Sequence, residues 1–232
     1  MAGKETRVTV MVMATETRLI NSGRFQSFMK SDEEKLRGHH GIYMIVKRFL
    51  DIVFSVLLLV LFAIPMLGIS IVILITEGGP ILFKQERVGY AGKKFIIYKF
   101  RSMLPNAPEK SNREFADADN YITKLGSFLR KSSLDEMPQI FNVLKGEMSF
   151  IGPRPLAETD EIVLKLRNES GATLVRPGIS GWAQVNGRNT ISDENKAALD
   201  SYYAANISLL FDIKILLLTI SNVINQTGIN AQ

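Results

Sequence analysis

The sequence predicts an α+β protein with a Pro-broken, re-entrant membrane helix near its N-terminus, a small β-hairpin, and several helices, some amphipathic and interfacial. Three observations carry that expectation. Ile52 to Ile75 is an uncharged run of 24 residues, interrupted only by Ser55, Pro65, Gly68 and Ser70. Two short segments of strand character follow, joined by a glycine-bounded turn. Beyond them, helical patterns alternate with Gly- and Pro-bearing loops.

The apolar run would be about 36 Å long as a straight helix, against a hydrocarbon core of about 30 Å. Its length and all-round apolarity disfavour a buried helix of a soluble protein. Pro65 lies near its middle, where it removes a backbone hydrogen bond and bends the helix. Both flanks are basic, with Lys47 and Arg48 before and Lys84, Arg87, Lys93 and Lys94 after. A helix that dips in, breaks at Pro65 and returns to the same face satisfies both facts, because the positive-inside rule expects basic flanks on one side only. A kinked single span fits the length and the proline as well, so both topologies stay open at this stage.

The chain divides into a polar leader over 1–40, the membrane helix over 41–78, a larger domain over 79–226 and a tail over 227–232. The leader lacks an apolar core with a small-residue cleavage site and is not a secretory signal; Met29 offers an internal start. In the domain, Pro80 to Gln85 and Lys94 to Phe100 read as strands around a Gly89–Gly92 turn. Residues 104–120 form a charged loop, and helices are predicted over about 121–131, 134–145, 157–168 and 195–205. Ile207 to Ile224 is apolar but contains Asp212 and Lys214. Charges are costly at mid-bilayer, so this segment suits the interface better than a span, with Tyr202 and Tyr203 at the headgroups. A core-facing helix is the competing reading.

Composition narrows the chemistry. No cysteine is present, which excludes disulfides, thiolate metal sites and a cysteine nucleophile. The only histidines, His39 and His40, are adjacent in a polar stretch, so a Ser-His-Asp triad or a multi-histidine zinc site is not expected. The formal charge of +5 suits anionic partners. Nucleic acid is disfavoured, because the basic residues are scattered among apolar segments without an aromatic platform.

The densest functional patch runs from Leu129 to Gly146, LRKSSLDEMPQIFNVLKG. Ser133-x-x-Glu136 fits a capping box and Gly146 a helix stop, so Asp135 and Glu136 could simply favour the positive end of a helix. The same end would also attract phosphate, with Arg130 about one turn away to hold phosphoryl oxygens. An aspartate beside a divalent cation can attack phosphorus, and adjacent carboxylates can divide nucleophile and metal-binding duties. Gly152-Pro-Arg-Pro155 fixes Arg154 between two prolines, and Arg176-Pro-Gly-Ile-Ser-Gly-Trp-Ala-Gln-Val-Asn-Gly-Arg188 is a glycine-rich loop with two arginines.

These segments, together with Lys47-Arg-Phe-Leu-Asp51, Phe95-Ile-Ile-Tyr-Lys-Phe-Arg101, Leu134-Asp-Glu-Met-Pro-Gln139 and Phe141 to Pro155, resemble the monotopic phosphoglycosyl transferases of the bacterial sugar transferase family over about 43–224. The chain looks like the short form, similar to the bacillosamine-phosphate transferases of N-linked glycan assembly. The family's helix break often reads Ser-Pro, where this chain has Ile64-Pro65. The resemblance implies a re-entrant helix and a reaction at the cytoplasmic face of the bacterial inner membrane. Asp135 would attack the β-phosphate of a UDP-sugar, expel UMP and carry a covalent phospho-sugar, which undecaprenyl phosphate then collects. It further implies Mg²⁺ held by Glu136 and Asp135, and substrate contacts at Arg130, Arg154, Arg176, Lys99 and Asp212. An N-acetylated amino sugar is the expected cargo. The oligomeric state is unreadable, and a homo-oligomer stays open.

Overall fold

The computed structural model describes residues 41–107, 118–187 and 191–225. The leader with His39 and His40, most of the charged loop, Arg188 and the tail lie outside the described residues.

Helix α1 spans Gly41–Glu77, with Pro65 inside it. Its pattern is inverted relative to a soluble helix. Lys47, Asp51 and Ser55 are buried, as is Ile73, while Ile45, Phe49, Leu57, Leu61, Ile64 and Ile75 are exposed. Only 11% of its most apolar window is buried. Polar groups face the protein and aliphatic ones face outward, which suits hydrocarbon as the surrounding solvent. The protein is a membrane protein on this ground.

Strands β1 (Leu82–Val88) and β2 (Lys94–Phe100) form the predicted antiparallel hairpin, in register from Leu82↔Phe100 to Val88↔Lys94. β2 has the predicted bounds. β1 starts later than Pro80, which has no N–H to give to a ladder, and a 3₁₀ turn over Tyr90–Gly92 closes the hairpin. Alternation buries Phe95 and Ile97 against Val143 and Met148, while Phe100, on the other face of the strand, packs against Ile73 and Leu129. Arg101 closes the strand by donating through Nη2 to the carbonyls of Glu77 and Gly78 at 2.8 and 2.7 Å. This satisfies acceptors that the end of α1 would otherwise leave unpaired.

Helix α2 (Lys124–Lys131) starts at Thr123, whose side chain accepts from the Gly126 amide. Gly126 is required there, since a Cβ would fall 2.0 Å from the Ser102 carbonyl oxygen. The predicted single helix over 134–145 is replaced by a 3₁₀ turn at Leu134–Glu136 and a seven-residue helix α3 (Gln139–Lys145). Ser133 adopts a left-handed conformation, φ 58°, and makes no side-chain cap bond, so the capping box is absent. Pro138 supplies the reason. It lacks the N–H that would continue the ladder, so regular helix begins only after it. Gly146 ends α3 with φ 88°, as the sequence predicts.

Two three-residue strands, β3 (Ser149–Ile151) and β4 (Gly178–Ser180), pair in parallel. The remaining helices are α4 (Glu161–Glu169), α5 (Trp182–Val185), α6 (Asp193–Ala205) and α7 (Leu209–Ile224). Their largest shared core holds Ile151, Val175, Trp182, Tyr203 and Ile215.

α7 repeats the inversion of α1, with Asp212 and Ile215 buried and Leu210, Leu217 and Ile224 exposed. Asp212 accepts from Tyr43 (2.6 Å), Lys47 (2.5 Å) and Tyr203 (2.7 Å), which ties α1, α6 and α7 together. Lys214 lies over the Trp182 ring, 4.7 Å from its centroid. The two charges inside the apolar segment are therefore engaged with the protein, and the aliphatic face is left exposed.

Candidate active site

The loop between α2 and α3 and the end of β2 meet around Asp135. The 3₁₀ turn presents Asp135 and Glu136 consecutively, and Asp135 is 8% exposed. Lys99 lies on β2 and donates to Glu136 Oε1 at 2.7 Å. Arg154, between its two prolines, places Nη2 at 3.5 Å from the same oxygen. Arg130, at the end of α2, donates through Nε to Ser102 Oγ at 2.9 Å, which fixes its guanidinium beside the turn. Gly126, on the same helix as Arg130, leaves room for the Ser102 backbone to come this close.

The electrostatics follow from this packing. Burial pushes the Asp135 carboxyl above the ordinary aspartate range. The charge of Lys99 opposes the rise, Glu136 adds to it, and Arg130 and Arg154 oppose it more weakly. A buried carboxylate ringed by three cations is poorly hydrated yet can still be ionised, which suits a nucleophile. The cations, rather than a helix start, supply the positive field. The amides of Glu136, Met137, Ile140 and Phe141 already donate to Ser133, Leu134, Met137 and Pro138.

Of the sequence-predicted site residues, the structure gathers Asp135, Glu136, Lys99, Arg130 and Arg154. Arg176 and Asp212 are engaged otherwise. Arg176 donates through Nε to the Gly146 carbonyl at 3.0 Å and lies over the Tyr90 ring. Arg48 reaches the neighbouring carbonyls of Val143 and Leu144. Two arginines thus cap the C-terminal end of α3, where cations are favoured, while the acidic pair precedes its other end. Asp212 belongs to the buried network with Lys47, Tyr43 and Tyr203. Sequence reasoning missed Ser102, although it stands directly after the Phe95–Arg101 segment and is the residue that positions Arg130.

A divalent ion would find two hard-oxygen donors here, Asp135 and Glu136. Among the described residues no group of three or more His, Cys, Asp or Glu converges. Two carboxylates completed by phosphate and water oxygens are an ordinary Mg²⁺ environment, so the residues fit that ion.

A family model described as bacterial sugar transferase matches residues 42–226. This chain belongs to the bacterial sugar transferase family. Among its relatives, the "Uncharacterized sugar transferase EpsL" of Bacillus subtilis is 42% identical over 186 residues, which are 80% of this chain and 91% of that protein. The UDP-N-acetylgalactosamine-undecaprenyl-phosphate N-acetylgalactosaminephosphotransferase of Aeromonas hydrophila is 40% identical, over 81% of this chain and 45% of its own length. The UDP-glucose:undecaprenyl-phosphate glucose-1-phosphate transferase of Escherichia coli is 37% identical, over 78% and 40% respectively. This sugar transferase therefore spans most of the Bacillus protein and under half of the other two. It is an enzyme of the phosphoglycosyl transferase type, and the cluster around Asp135 falls within the matched residues.

Proposed function

We propose that the enzyme transfers a sugar-1-phosphate from a UDP-sugar to undecaprenyl phosphate through a covalent intermediate on Asp135. The observation that carries this reading is a buried carboxylate, the side chain of Asp135, whose surrounding charges are Lys99, Arg130 and Arg154, with Glu136 alone opposing them. An Asp135 oxygen attacks the donor's β-phosphorus, the bond to the bridging oxygen breaks, and UMP leaves with that oxygen. An oxygen of undecaprenyl phosphate then attacks the same phosphorus, the aspartyl–phosphorus bond breaks, and the lipid diphosphate sugar departs. Asp135 is returned as a carboxylate. Lys99 and Arg154 would neutralise phosphoryl oxygens while Arg130 steers the donor. Mg²⁺ held by Asp135 and Glu136 would supply further charge neutralisation at the diphosphate. The relatives' names carry different sugars, N-acetylgalactosamine and glucose. An N-acetylated amino sugar is our choice for this enzyme.

The lipid acceptor is supported by a groove two residues beyond Glu136, lined by Met66, Ser70, Ile81, Phe100, Pro138 and Phe141 between α1 and the domain. A re-entrant course for α1 is supported by its docking at both ends. Asp51 accepts from Ser149 and the Phe150 amide, and Ile73 packs on Phe100. Residues on both sides of Pro65 thus dock on the same domain, which suits a bend at the proline. Such a bend returns both flanks to one side, the cytoplasmic face of the inner membrane in our reading.

A panel of UDP-sugars assayed without acceptor tests the reaction. Release of UMP, up to about one per enzyme, is expected from the true donor, and release of UDP would mean ordinary glycosyl transfer instead. Because burial raises the Asp135 pKa and only the ionised form attacks, the acid limb of UMP release should lie above the ordinary aspartate range. Lys99→Met removes the strongest influence that lowers that pKa, so the limb should move to higher pH. A limb that stays in place would separate Lys99 from the nucleophile.

A further inference from the structure

Next to the Asp135 cluster lies a second group of cations that the transfer chemistry above does not use. The bridge between Val88 and Leu156, with the Val88 amide donating to the Leu156 carbonyl at 2.8 Å, brings Arg87 beside the Gly152–Pro155 segment. Leu156, Val163 and Ala197 share one small core, which brings Lys196, the neighbour of Ala197, to the same place. Arg167 donates through Nη1 to the Arg154 carbonyl at 2.9 Å and is itself neutralised by Asp200, which accepts from its Nε and Nη2. Arg154 is the hinge between the two groups, since its guanidinium also faces Glu136.

The charges do not balance. With Arg167 and Asp200 paired and Arg154 turned to Glu136, Arg87 and Lys196 share, among the described residues, the carboxylate of Asp160, one of whose oxygens already accepts from the Ala157 amide. Arg87 is held by Gln85 through Nη2, and its Nε is buried with no hydrogen-bond partner among the described residues. Burial first, then the charge of Arg154, pulls the Arg87 guanidinium below its ordinary range. Burial, with the charges of Arg167 and Arg154, does the same to Lys196, against the opposing pull of Asp160 and Asp200. Partly buried positive charge without a counterion is unfavourable, and such arrangements cluster where an anion is bound.

We propose that Arg87 and Lys196, with Arg154, form a second anion subsite that holds the α-phosphate of the donor nucleotide and stabilises UMP as it leaves Asp135's target phosphorus. The assignment rests on the proposed reaction with a UDP-sugar. It places the two phosphates of the donor on two adjacent cation clusters: the β-phosphate on Lys99, Arg130 and Arg154, and the α-phosphate on Arg154, Arg87 and Lys196. No bond is made or broken by Arg87 or Lys196 in this scheme, and both act by charge and hydrogen bonding on the departing phosphate.

The test is UMP-dependent exchange: radiolabelled UMP is incubated with intact enzyme and unlabelled UDP-sugar, without acceptor, and label entering UDP-sugar is followed. Arg87→Gln and Lys196→Gln should each raise the UMP concentration for half-maximal exchange by about tenfold or more, the scale of one charge-assisted hydrogen bond. Inhibition of exchange by uridine, which lacks the phosphate, should move by less than about twofold, and thermal melting of both variants is measured alongside. Unchanged UMP dependence in both folded variants would overturn the subsite, as would an equal weakening of uridine. Absence of any exchange in the unaltered enzyme would instead overturn the covalent reaction, so the two failures are distinguishable. A variant that exchanges normally but slows transfer to undecaprenyl phosphate would reassign the cluster to the acceptor and also overturn the proposal.

Discussion

Asp135→Asn is expected to remove UMP release by a factor on the order of 10⁴ or more, the scale seen when a catalytic nucleophile is deleted, and yet to raise the melting temperature. The amide keeps the volume of the carboxyl in its buried position but cannot bond to phosphorus, so no phospho-sugar accumulates. Stability moves the other way for an electrostatic reason. Burial holds the folded pKa of Asp135 above its unfolded value, so the folded state binds that proton more tightly. Its contribution to stability is then greatest below the unfolded pKa and declines as pH rises through the folded one. At neutral pH the ionised side chain is a net cost, which asparagine removes. Each 1 kcal/mol recovered should add about 2–4 °C in a protein of this size. Scanning fluorimetry of the two proteins at pH 7 and pH 4 checks the sign: the gap between them should narrow in acid. Loss of activity accompanied by a lower melting temperature would mean that Asp135 is structural.

The second large effect concerns the buried network around Asp212. Lys47→Met should destabilise the enzyme by about 3–5 kcal/mol, the usual penalty when one member of a buried ion pair is removed and the other stays charged. Lys47 and Asp212 are both nearly inaccessible, and Tyr43 and Tyr203 complete the set around Asp212. The pair fastens the start of α1 to α6 and α7, so its loss should also loosen the seating of the membrane helix. Asp212→Asn, which keeps hydrogen bonding and removes the charge, leaves Lys47 unpaired and should be damaging as well. The double variant Lys47→Met with Asp212→Leu should recover part of the loss, because neither member of the pair is then left as a buried charge without its partner. Denaturant or thermal melts in one detergent compare the three, and single variants as stable as the parent would contradict a structural role for the network.

That network also shows where sequence reasoning stops. A charge inside an apolar run signals an interfacial helix by local pattern, and α7 does present an aliphatic face. The partner of Asp212 is 165 residues away in the chain, so no local window could reveal why the charge is there. The hairpin is legible because two short segments of strand character flank a turn that carries its glycines. The stop at Gly146 was legible because a left-handed residue after a helix favours glycine. Ser133 misled for the opposite reason: Ser-x-x-Glu has the spacing of a capping box, but Pro138 interrupts the ladder and Ser133 itself turns left-handed.

The parallel pairing of β3 with β4 was hidden inside two segments that read as rigid loops. Its signature was present in the glycines. A Cβ on Gly152 would meet the Arg176 carbonyl oxygen at 2.3 Å, and one on Gly178 would meet the Gly152 amide at 2.1 Å. The Gly152–Pro155 and Arg176–Arg188 segments are thus pressed together backbone to backbone, which fixes Arg154 near Glu136 and sends Arg176 to the end of α3. In the candidate site, the acidic pair and Arg130 and Arg154 were readable from one dense patch and one proline-locked arginine. Lys99 entered through the family resemblance alone, and its contact depends on the fold, which turns β2 so that its ammonium meets Glu136.

The most direct measurement is the mass of the Asp135-containing peptide after the enzyme is quenched with donor and Mg²⁺ present and acceptor withheld. A mass increase equal to one phospho-sugar, located on Asp135, lost on addition of undecaprenyl phosphate and absent from Asp135→Asn, is the expected result. An unmodified peptide from enzyme that still turns over would show that transfer proceeds without a bond to this carboxylate.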